Sequence, residues 1–289
     1  MARKEAVNSQ RDGKLRVFSI TSGKGGVGKT LLSVNLACAL RDLGKEILII
    51  DGNFGNGNVD LLFGVSPEKT IFDVLSGVNS LKEVLVNALP GIHIIPAGSG
   101  IYEISAPESH HKLSLLSELD TIDDLAEIVI VDTPPGITPN VMFFNTSATD
   151  IVFVTTPEIT SVVNTISSIN VLNSKFGEKE FKLIVNMAEN EYDAESTFNM
   201  IEAEVERLYD VRLFNCGYCP FDGKLKVATS LLATHPEKSS NGRLFERFNQ
   251  IAKNLIENVP GKKSRKGHQF FARRILQEKH DEAITQSLK

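Results

Sequence analysis

Eight consecutive residues near the start of the chain have the types and spacing needed to hold phosphate. The segment GKGGVGKT fits the pattern G-x-x-x-x-G-K-[ST], whose glycines let the backbone curl so that its N–H groups point at phosphate oxygens. In this pattern the lysine reaches the β- and γ-phosphates and the last hydroxyl takes Mg²⁺. The residues predicted to bind a nucleotide here are Gly23, Gly25, Gly26, Val27, Gly28, Lys29 and Thr30.

The pattern requires a strand before it and a helix after it. The apolar run 16–20 predicts a buried strand, and the amphipathic run 31–43 predicts a helix. A helix N-terminus carries partial positive charge, which favours a bound anion. The sequence therefore predicts phosphate binding between the first strand and the first helix.

An acid at the end of a neighbouring strand is expected to complete the metal site. Asp132 directly follows the apolar run 128–131, so we predict that Asp132 and Thr30 hold Mg²⁺. The loop after it, 133–136, is suited to move when a γ-phosphate arrives or leaves.

The remaining chain alternates apolar strands with helices, which predicts an α/β fold. We expect a three-layer P-loop NTPase architecture, with a mostly parallel sheet and helices on both faces. Further strands are expected at 46–51, 92–96, 127–132, 151–155, 181–186 and 213–218, and helices at 110–125, 139–149, 160–176, 194–209 and 243–257. The predicted parts are a flexible segment 1–15, a main domain 16–259, a basic linker 260–267 and an amphipathic C-terminal helix 268–289.

Charge is distributed unevenly along the 289 residues. Residues 261–289 hold eight Lys or Arg and three acids, so this tail has a net charge of +5. Since the whole chain has a net charge of −5, residues 1–260 have a net charge of −10. The acidic body argues against direct nucleic-acid binding, whereas the basic tail favours an anionic partner. No apolar run reaches the ~18 residues of a membrane span, and residues 1–15 do not resemble a secretory signal. We therefore expect a cytoplasmic protein.

A lysine directly after the first glycine, Lys24, separates this loop from most phosphate-binding loops. With it, the chain resembles the MinD/ParA-type deviant Walker A ATPases, which include the nitrogenase iron protein. The resemblance covers most of residues 16–258 and implies that ATP joins two copies into a homodimer through Lys24. Since no N-K-x-D element for guanine is found, ATP is favoured.

The resemblance also implies roles for individual residues. Lys24, Lys29 and the residue at position 53 would take part in catalysis. Asp51 would join Thr30 and Asp132 at Mg²⁺. ATP or ADP would also be contacted by Glu158, Asn186, Pro220 and Asp222.

Two segments resemble the FlhG/FleN branch of this family, whose members set flagellar number. They are GNGNVDLLFGV at 55–65 and the more specific GHQFFARRIL at 267–276. This resemblance implies a flagellar transcriptional activator or a flagellar GTPase as partner. Residues 1–15 lack the D-Q-A-x-x-L-R element with which some members of the branch stimulate that GTPase.

Position 53 departs from the family pattern. MinD-type enzymes carry D-x-D after the second strand, whereas residues 51–53 here are DGN. Asn53 can neither take a proton nor present a full charge, and general-base assistance contributes roughly 10²–10⁴-fold. We predict ATP binding with slow hydrolysis unless Asp51 or Asp60 substitutes. Alternatively, Asn53 orients water, as Gln does in small GTPases, or it is an engineered trap of the ATP-bound state.

The pair Cys216 and Cys219 indicates a rival function. Mrp/Nbp35-like iron–sulfur carriers share the deviant loop, a D-x-P-P-G segment and a C-x-x-C. If both cysteines lie in the strand 213–218, their spacing places them on opposite faces, where they cannot chelate one cluster. We expect buried apolar cysteines instead. A ParA-like positioning ATPase is the other alternative, and the acidic body disfavours it.

The tail has the pattern of a basic amphipathic helix. Phe270, Phe271, Ile275 and Leu276 fall on one stripe, with six Lys or Arg beside it or just upstream. Such a helix can lie in a lipid interface, so we expect reversible association of 268–289 with the inner membrane surface. The alternative is that this helix packs on the body of the protein.

Overall fold

The computed structural model describes residues 15–54, 56–98, 118, 125–221 and 242–258. Nearly all of the N-terminal segment and of the helix expected at 110–125 lie outside the described residues. The linker 260–267 and the helix 268–289 also lie outside them.

Eight strands of the described chain form one sheet. They are β1 (Arg16–Thr21), β2 (Ile47–Asp51), β3 (Val86–Leu89), β4 (Ile92–Ile95), β5 (Ile128–Asp132), β6 (Asp150–Thr155), β7 (Glu180–Ala188) and β8 (Arg212–Pro220). Their spatial order is β3-β4-β2-β5-β1-β6-β7-β8, and only β3 runs antiparallel to its neighbour. Strands β2, β5 and β6 are buried throughout, as expected for a parallel sheet covered on both faces. The predicted mostly parallel sheet is confirmed.

The described helices cover both faces of this sheet. They are α1 (Lys29–Asp42), α2 (Val59–Phe63), α3 (Ile71–Leu75), α4 (Leu81–Val84), α5 (Pro139–Ser147), α6 (Ile159–Phe176), α7 (Glu191–Tyr209) and α8 (Gly242–Lys253), which continues as a π-helical turn (Asn254–Asn258). On one face, α1, α2 and α8 bury one core cluster, and on the other face α3 to α7 bury two more. This confirms the three-layer α/β architecture.

The central strands bring the candidate site residues to one edge of the sheet. Asp51, at the end of β2, pairs in register with Asp132 at the end of β5, and Ile20 of β1 pairs with the same Asp132. Because carboxyl ends of parallel strands meet at one edge, the loop after β1 lies beside both acids.

Strand β8 corrects one expectation about the cysteines. Asn215 and Gly217 pair with the consecutive residues Leu183 and Ile184, so the ladder has an irregularity at Cys216. An extra residue of this kind reverses the alternation of faces. Cys216 and Cys219 therefore belong to the same core cluster, to which α8 also contributes, and the prediction of opposite faces is wrong. Their burial is confirmed, since they are 0% and 1% exposed.

Among the described helices, none is long and apolar enough to cross a bilayer.

Candidate functional site

The loop between β1 and α1 is shaped by three glycines, Gly23, Gly26 and Gly28, that no other residue could replace without strain. Gly26 and Gly28 have φ of 79° and 86°, in the left-handed region. A Cβ on Gly23 would lie 2.3 Å from the backbone oxygen of Asn164 in α6. Gly25 has more room, with Pro135 3.7 Å from such an atom, and Val27 is buried. The loop is therefore packed directly against α6.

Lys29, the first residue of α1, is buried, and no carboxylate of the described residues is in hydrogen-bond contact with it. Its Nζ donates to Ser22 Oγ at 2.7 Å, and its side chain is 7% exposed. Burial lowers the pKa of Lys29, and the nearby charge of Asp132 offsets part of that effect. A buried cation with a neutral hydroxyl partner is stabilised by an anion beside it, which a phosphate would supply.

A hydrogen bond joins Thr30 and Asp132, the two residues predicted to hold Mg²⁺. Thr30 Oγ1 donates to Asp132 Oδ2 at 2.6 Å, and Ser33 Oγ donates to Asp132 Oδ1 at 3.1 Å. Burial raises the pKa of Asp132 to about 6, although these hydroxyls and Lys29 favour its ionised form. Hydroxyl and carboxylate oxygens are the donors that Mg²⁺ prefers, so this set fits the ion.

Asp51 is enclosed by the loop that follows β2. Its carboxylate accepts hydrogen bonds from the backbone N–H groups of Asn53, Asn58 and Val59 at 3.1, 2.9 and 3.2 Å. Burial, and then the charge of Asp132, raise the pKa of Asp51 to about 7 despite those donors. Two buried carboxyls on adjacent strands are stabilised by a shared cation, which supports the fit of Mg²⁺ to this edge.

Asn53 occupies the position at which the family pattern has an acid. Its Nδ2 donates to the backbone oxygen of Asn56 at 2.8 Å. Asp60, the other acid considered as a substitute for the family's acid, comes after this loop in the sequence and lies in α2.

Lys24 is held by residues of its own chain. Its Nζ forms an ion pair with Glu158 and donates to Thr160 Oγ1 at 3.0 Å. The side chains of Lys24 and Glu158 are 35% and 65% exposed. The contact joins the loop to the start of α6, where solvent can compete with it.

Of the three residues expected around the adenine base, the structure describes two, Asn186 and Pro220. Asn186 lies against the loop, since its Nδ2 donates to the oxygen of Val27 at 2.8 Å, and a Cβ on Gly28 would lie 2.6 Å from it. Pro220 ends β8 and pairs in register with Ala188. Asp222 lies outside the described residues.

Three polar residues of this site were not identified from the sequence. They are Ser22, Ser33 and Thr160, which contact Lys29, Asp132 and Lys24 respectively. Ser33 follows Thr30 by three positions on α1, so helical periodicity would have placed both on one face. No sequence pattern indicated Thr160, because its contact with Lys24 depends on how α6 packs against the loop.

Comparison with known proteins agrees with this geometry. The AAA domain family model matches residues 15–175. The antiactivator FleN of Pseudomonas aeruginosa is 31% identical over 264 residues, which are 91% of this chain and 94% of FleN. The chain belongs to the MinD/ParA-type P-loop ATPase family. The flagellum site-determining protein YlxH of Helicobacter pylori is also 31% identical, over 69% of this chain and 65% of YlxH.

Solved structures of MinD/ParA-type ATPases share the fold. One is in the MinC:MinD cell division complex of Aquifex aeolicus, with a TM-score of 0.66 and 25% identity over 86% of this chain and 100% of that one. Another is MinD of Pyrococcus horikoshii complexed with Mg-ADP, with a TM-score of 0.65 and 23% identity over 84% of this chain and 97% of that one. The chain belongs to a family of P-loop ATPases, and the Pyrococcus horikoshii structure holds Mg-ADP, which supports a nucleotide and Mg²⁺ as the ligands of the site.

The iron–sulfur carrier alternative finds no support in the described residues. Burial raises the pKa of both Cys216 and Cys219 to about 12. In the described parts of the chain, no cluster of three or more His, Cys, Asp or Glu side chains could hold a metal.

Proposed function

We propose that this chain is an ATP-dependent dimerising switch of the FlhG/FleN type. The observation that carries the proposal is the position of Lys24, which lies in the phosphate-binding loop but is turned to a surface contact with Glu158. A lysine placed there is available to a second copy once that contact opens.

The phosphates are proposed to lie against the backbone of Gly23, Gly25, Gly26, Val27 and Gly28. Lys29 is buried beside this loop and would exchange its neutral partner Ser22 for a phosphate. Thr30, Asp132 and Asp51 would hold Mg²⁺, which supplies positive charge between the phosphates and the two buried carboxyls. Asn186, Pro220 and Asp222 are proposed to hold the adenine, and Glu158 also contacts the nucleotide in the assembled dimer.

The change from monomer to dimer requires Lys24 to exchange partners. Exposed ion pairs contribute about 0–1 kcal/mol, so the contact with Glu158 is easily broken. A triphosphate offers Lys24 more charge than one carboxylate, and it is presented by the facing copy. Nucleotide binding would therefore select the dimer through this one lysine.

Hydrolysis is proposed to be slow. Asn53 cannot accept a proton, and its amide nitrogen is engaged by the oxygen of Asn56. Such an enzyme remains in its ATP state for long periods, which suits a switch whose output is an assembled surface rather than turnover.

The output is proposed to be control of flagellar number or placement. FleN is named an antiactivator and YlxH a flagellum site-determining protein, which supports a flagellar transcriptional activator as the partner, with a flagellar GTPase as the alternative. The tail 268–289 would bring the ATP-bound dimer reversibly from the cytoplasm to the inner membrane surface. We also propose the domain limits predicted from the sequence, namely a main domain 16–259, a linker 260–267 and a C-terminal helix 268–289.

A complementation experiment tests this function. Deletion of the gene should change the number or placement of flagella, and the wild-type chain should restore it. Lys24→Ala should fail to restore it at equal protein level, whereas Lys179→Ala, an exposed lysine far from the loop in sequence, should succeed. Normal flagellation in the deletion strain would contradict the proposal.

A further inference from the structure

We propose that Asn53 and Asn58 together form an amide clasp on the backbone oxygen of Asn56, and that Asn58 is thereby a positioning residue for the site. The inference rests on the proposed function, because it concerns the loop beside the proposed Mg²⁺ and water. It assigns a role to Asn58, a residue outside the predicted site.

The clasp consists of two side-chain amides that converge on one acceptor. Asn53 Nδ2 and Asn58 Nδ2 donate to the oxygen of Asn56 at 2.8 and 3.1 Å. A carbonyl oxygen has two lone pairs and can accept both bonds at once. One donor precedes Asn56 by three residues and the other follows it by two, so the two bonds tie Asn53 and Asn58 to the same point of the loop.

The same two residues also hold Asp51. The backbone N–H groups of Asn53 and Asn58 donate to separate oxygens of the Asp51 carboxylate, at 3.1 and 2.9 Å. A Cβ on Gly57 would lie 2.6 Å from Asp51 Oδ2, so the closed loop is in direct contact with the acid. Side chains that close the loop therefore also position Asp51.

This arrangement explains why asparagine suits position 53. An aspartate has the same size but no N–H to donate, and one of its oxygens would face the oxygen of Asn56. Asparagine can use Nδ2 for the clasp and keep Oδ1 as an acceptor for water. The amide at position 53 is thus part of the loop structure as well as a substitute for the family's acid.

Isosteric variants separate the clasp from side-chain size. Asn58→Asp removes the donor and keeps the shape, and Asn58→Gln keeps an amide donor. The first measurement is hydrogen exchange of the Asn58 and Val59 backbone amides in nucleotide-free protein. Exchange should accelerate roughly 5- to 10-fold in Asn58→Asp and in Asn53→Asp, the effect of losing one hydrogen bond, and less in Asn58→Gln.

The second measurement is single-turnover phosphate release at saturating ATP. Asn58→Asp should slow release about 10-fold while the ATP dissociation constant changes less than about 3-fold, because the clasp positions Asp51 without touching the nucleotide. Asn58→Gln should recover part of the rate. Unchanged exchange in Asn58→Asp would overturn the proposal. If ATP does not bind at all, the proposed function fails, but the exchange result still decides the clasp.

Discussion

Asp51 and Asp132 lie opposite each other at the carboxyl ends of two adjacent parallel strands, and both are 1% exposed. Burial raises the pKa of Asp51 to about 7 and that of Asp132 to about 6, and the charge of Asp132 adds to the rise at Asp51. The same pair becomes favourable when Mg²⁺ and Lys29 neutralise it. The site is therefore built at a cost in stability that ligand binding offsets.

This relationship predicts an unusual dependence of stability on pH. Because the folded pKa of Asp51 lies above its ordinary value, the folded state binds this proton more tightly than the unfolded state. Its contribution is fully present below about pH 4 and is lost as the pH rises to about 7. For a rise from 3.8 to about 7, the loss is up to roughly 4 kcal/mol.

Denaturant unfolding of metal-free and nucleotide-free protein from pH 4 to 8 measures this effect. Asp51→Asn should be more stable than the wild type at pH 8, and the difference should shrink towards pH 4. Asp132→Asn is the matched control at the facing position and should behave similarly with a smaller effect. A difference that is constant with pH would contradict the assigned pKa of Asp51.

The ion pair of Lys24 and Glu158 predicts that substitutions at this contact change the protein concentration at which ATP drives dimerisation. Glu158→Gln should lower the protein concentration at which ATP drives dimerisation by about 2- to 5-fold, the range expected for an exposed pair. Thr160→Ala removes the other partner of Lys24 and leaves Glu158 in place, so it should act in the same direction. If both variants bind ATP normally but dimerise less readily, the contact supports the dimer instead of restraining Lys24.

Position 53 predicts a gain in turnover. Asn53→Asp supplies the missing base, so the rate of phosphate release should rise. The increase is expected to reach at most roughly 10²-fold, the lower end of what general-base assistance contributes. Loss of the clasp is expected to reduce that gain. The measurement is phosphate release at saturating ATP and Mg²⁺ with equal active-site concentrations. Equal rates in the two proteins would show that Asn53 already orients water adequately.

The burial of the three cysteines predicts that their thiols react slowly in the folded protein. Cys38, Cys216 and Cys219 are buried, and burial raises their pKa values to about 11, 12 and 12. At pH 8 a thiol reagent should label the folded protein at least ~100-fold more slowly than the unfolded chain, since the thiolate is the reactive form. Rapid labelling of Cys216 and Cys219 would revive the carrier alternative.

The sequence predicted the parts of the site that follow from local pattern. The loop 23–30, its flanking strand and helix, and the acid that ends β5 are each specified within a few consecutive residues. The sheet could be predicted because its strands are uniformly apolar and alternate with helices. Helix α7 was predicted to begin at Ala194, but it begins three residues earlier, where Asn190 caps it by accepting from the N–H of Asp193.

Other features were not predicted, most of them because they depend on packing. Helices α2, α3 and α4 have four or five residues, too few to show a helical period. The irregularity at Cys216 lies beside Gly217, whose φ is 114°, and a glycine inside a strand often marks a bulge. Simple alternation ignored this signal and gave the wrong face. The contact between Lys24 and Glu158 joins residues 134 positions apart, and it arises because α6 packs against the loop at Gly23.

The central proposal for this protein is that ATP joins two copies through Lys24. The most direct test is the mass of the full chain in solution with ATP and Mg²⁺, with ADP and Mg²⁺, and without nucleotide. We expect about twice the 31.7 kDa chain mass with ATP and the single mass in the other two conditions. Lys24→Ala should bind ATP but keep the single mass. A wild-type chain that remains monomeric at saturating ATP, or a Lys24→Ala variant that dimerises equally well, would contradict the proposal.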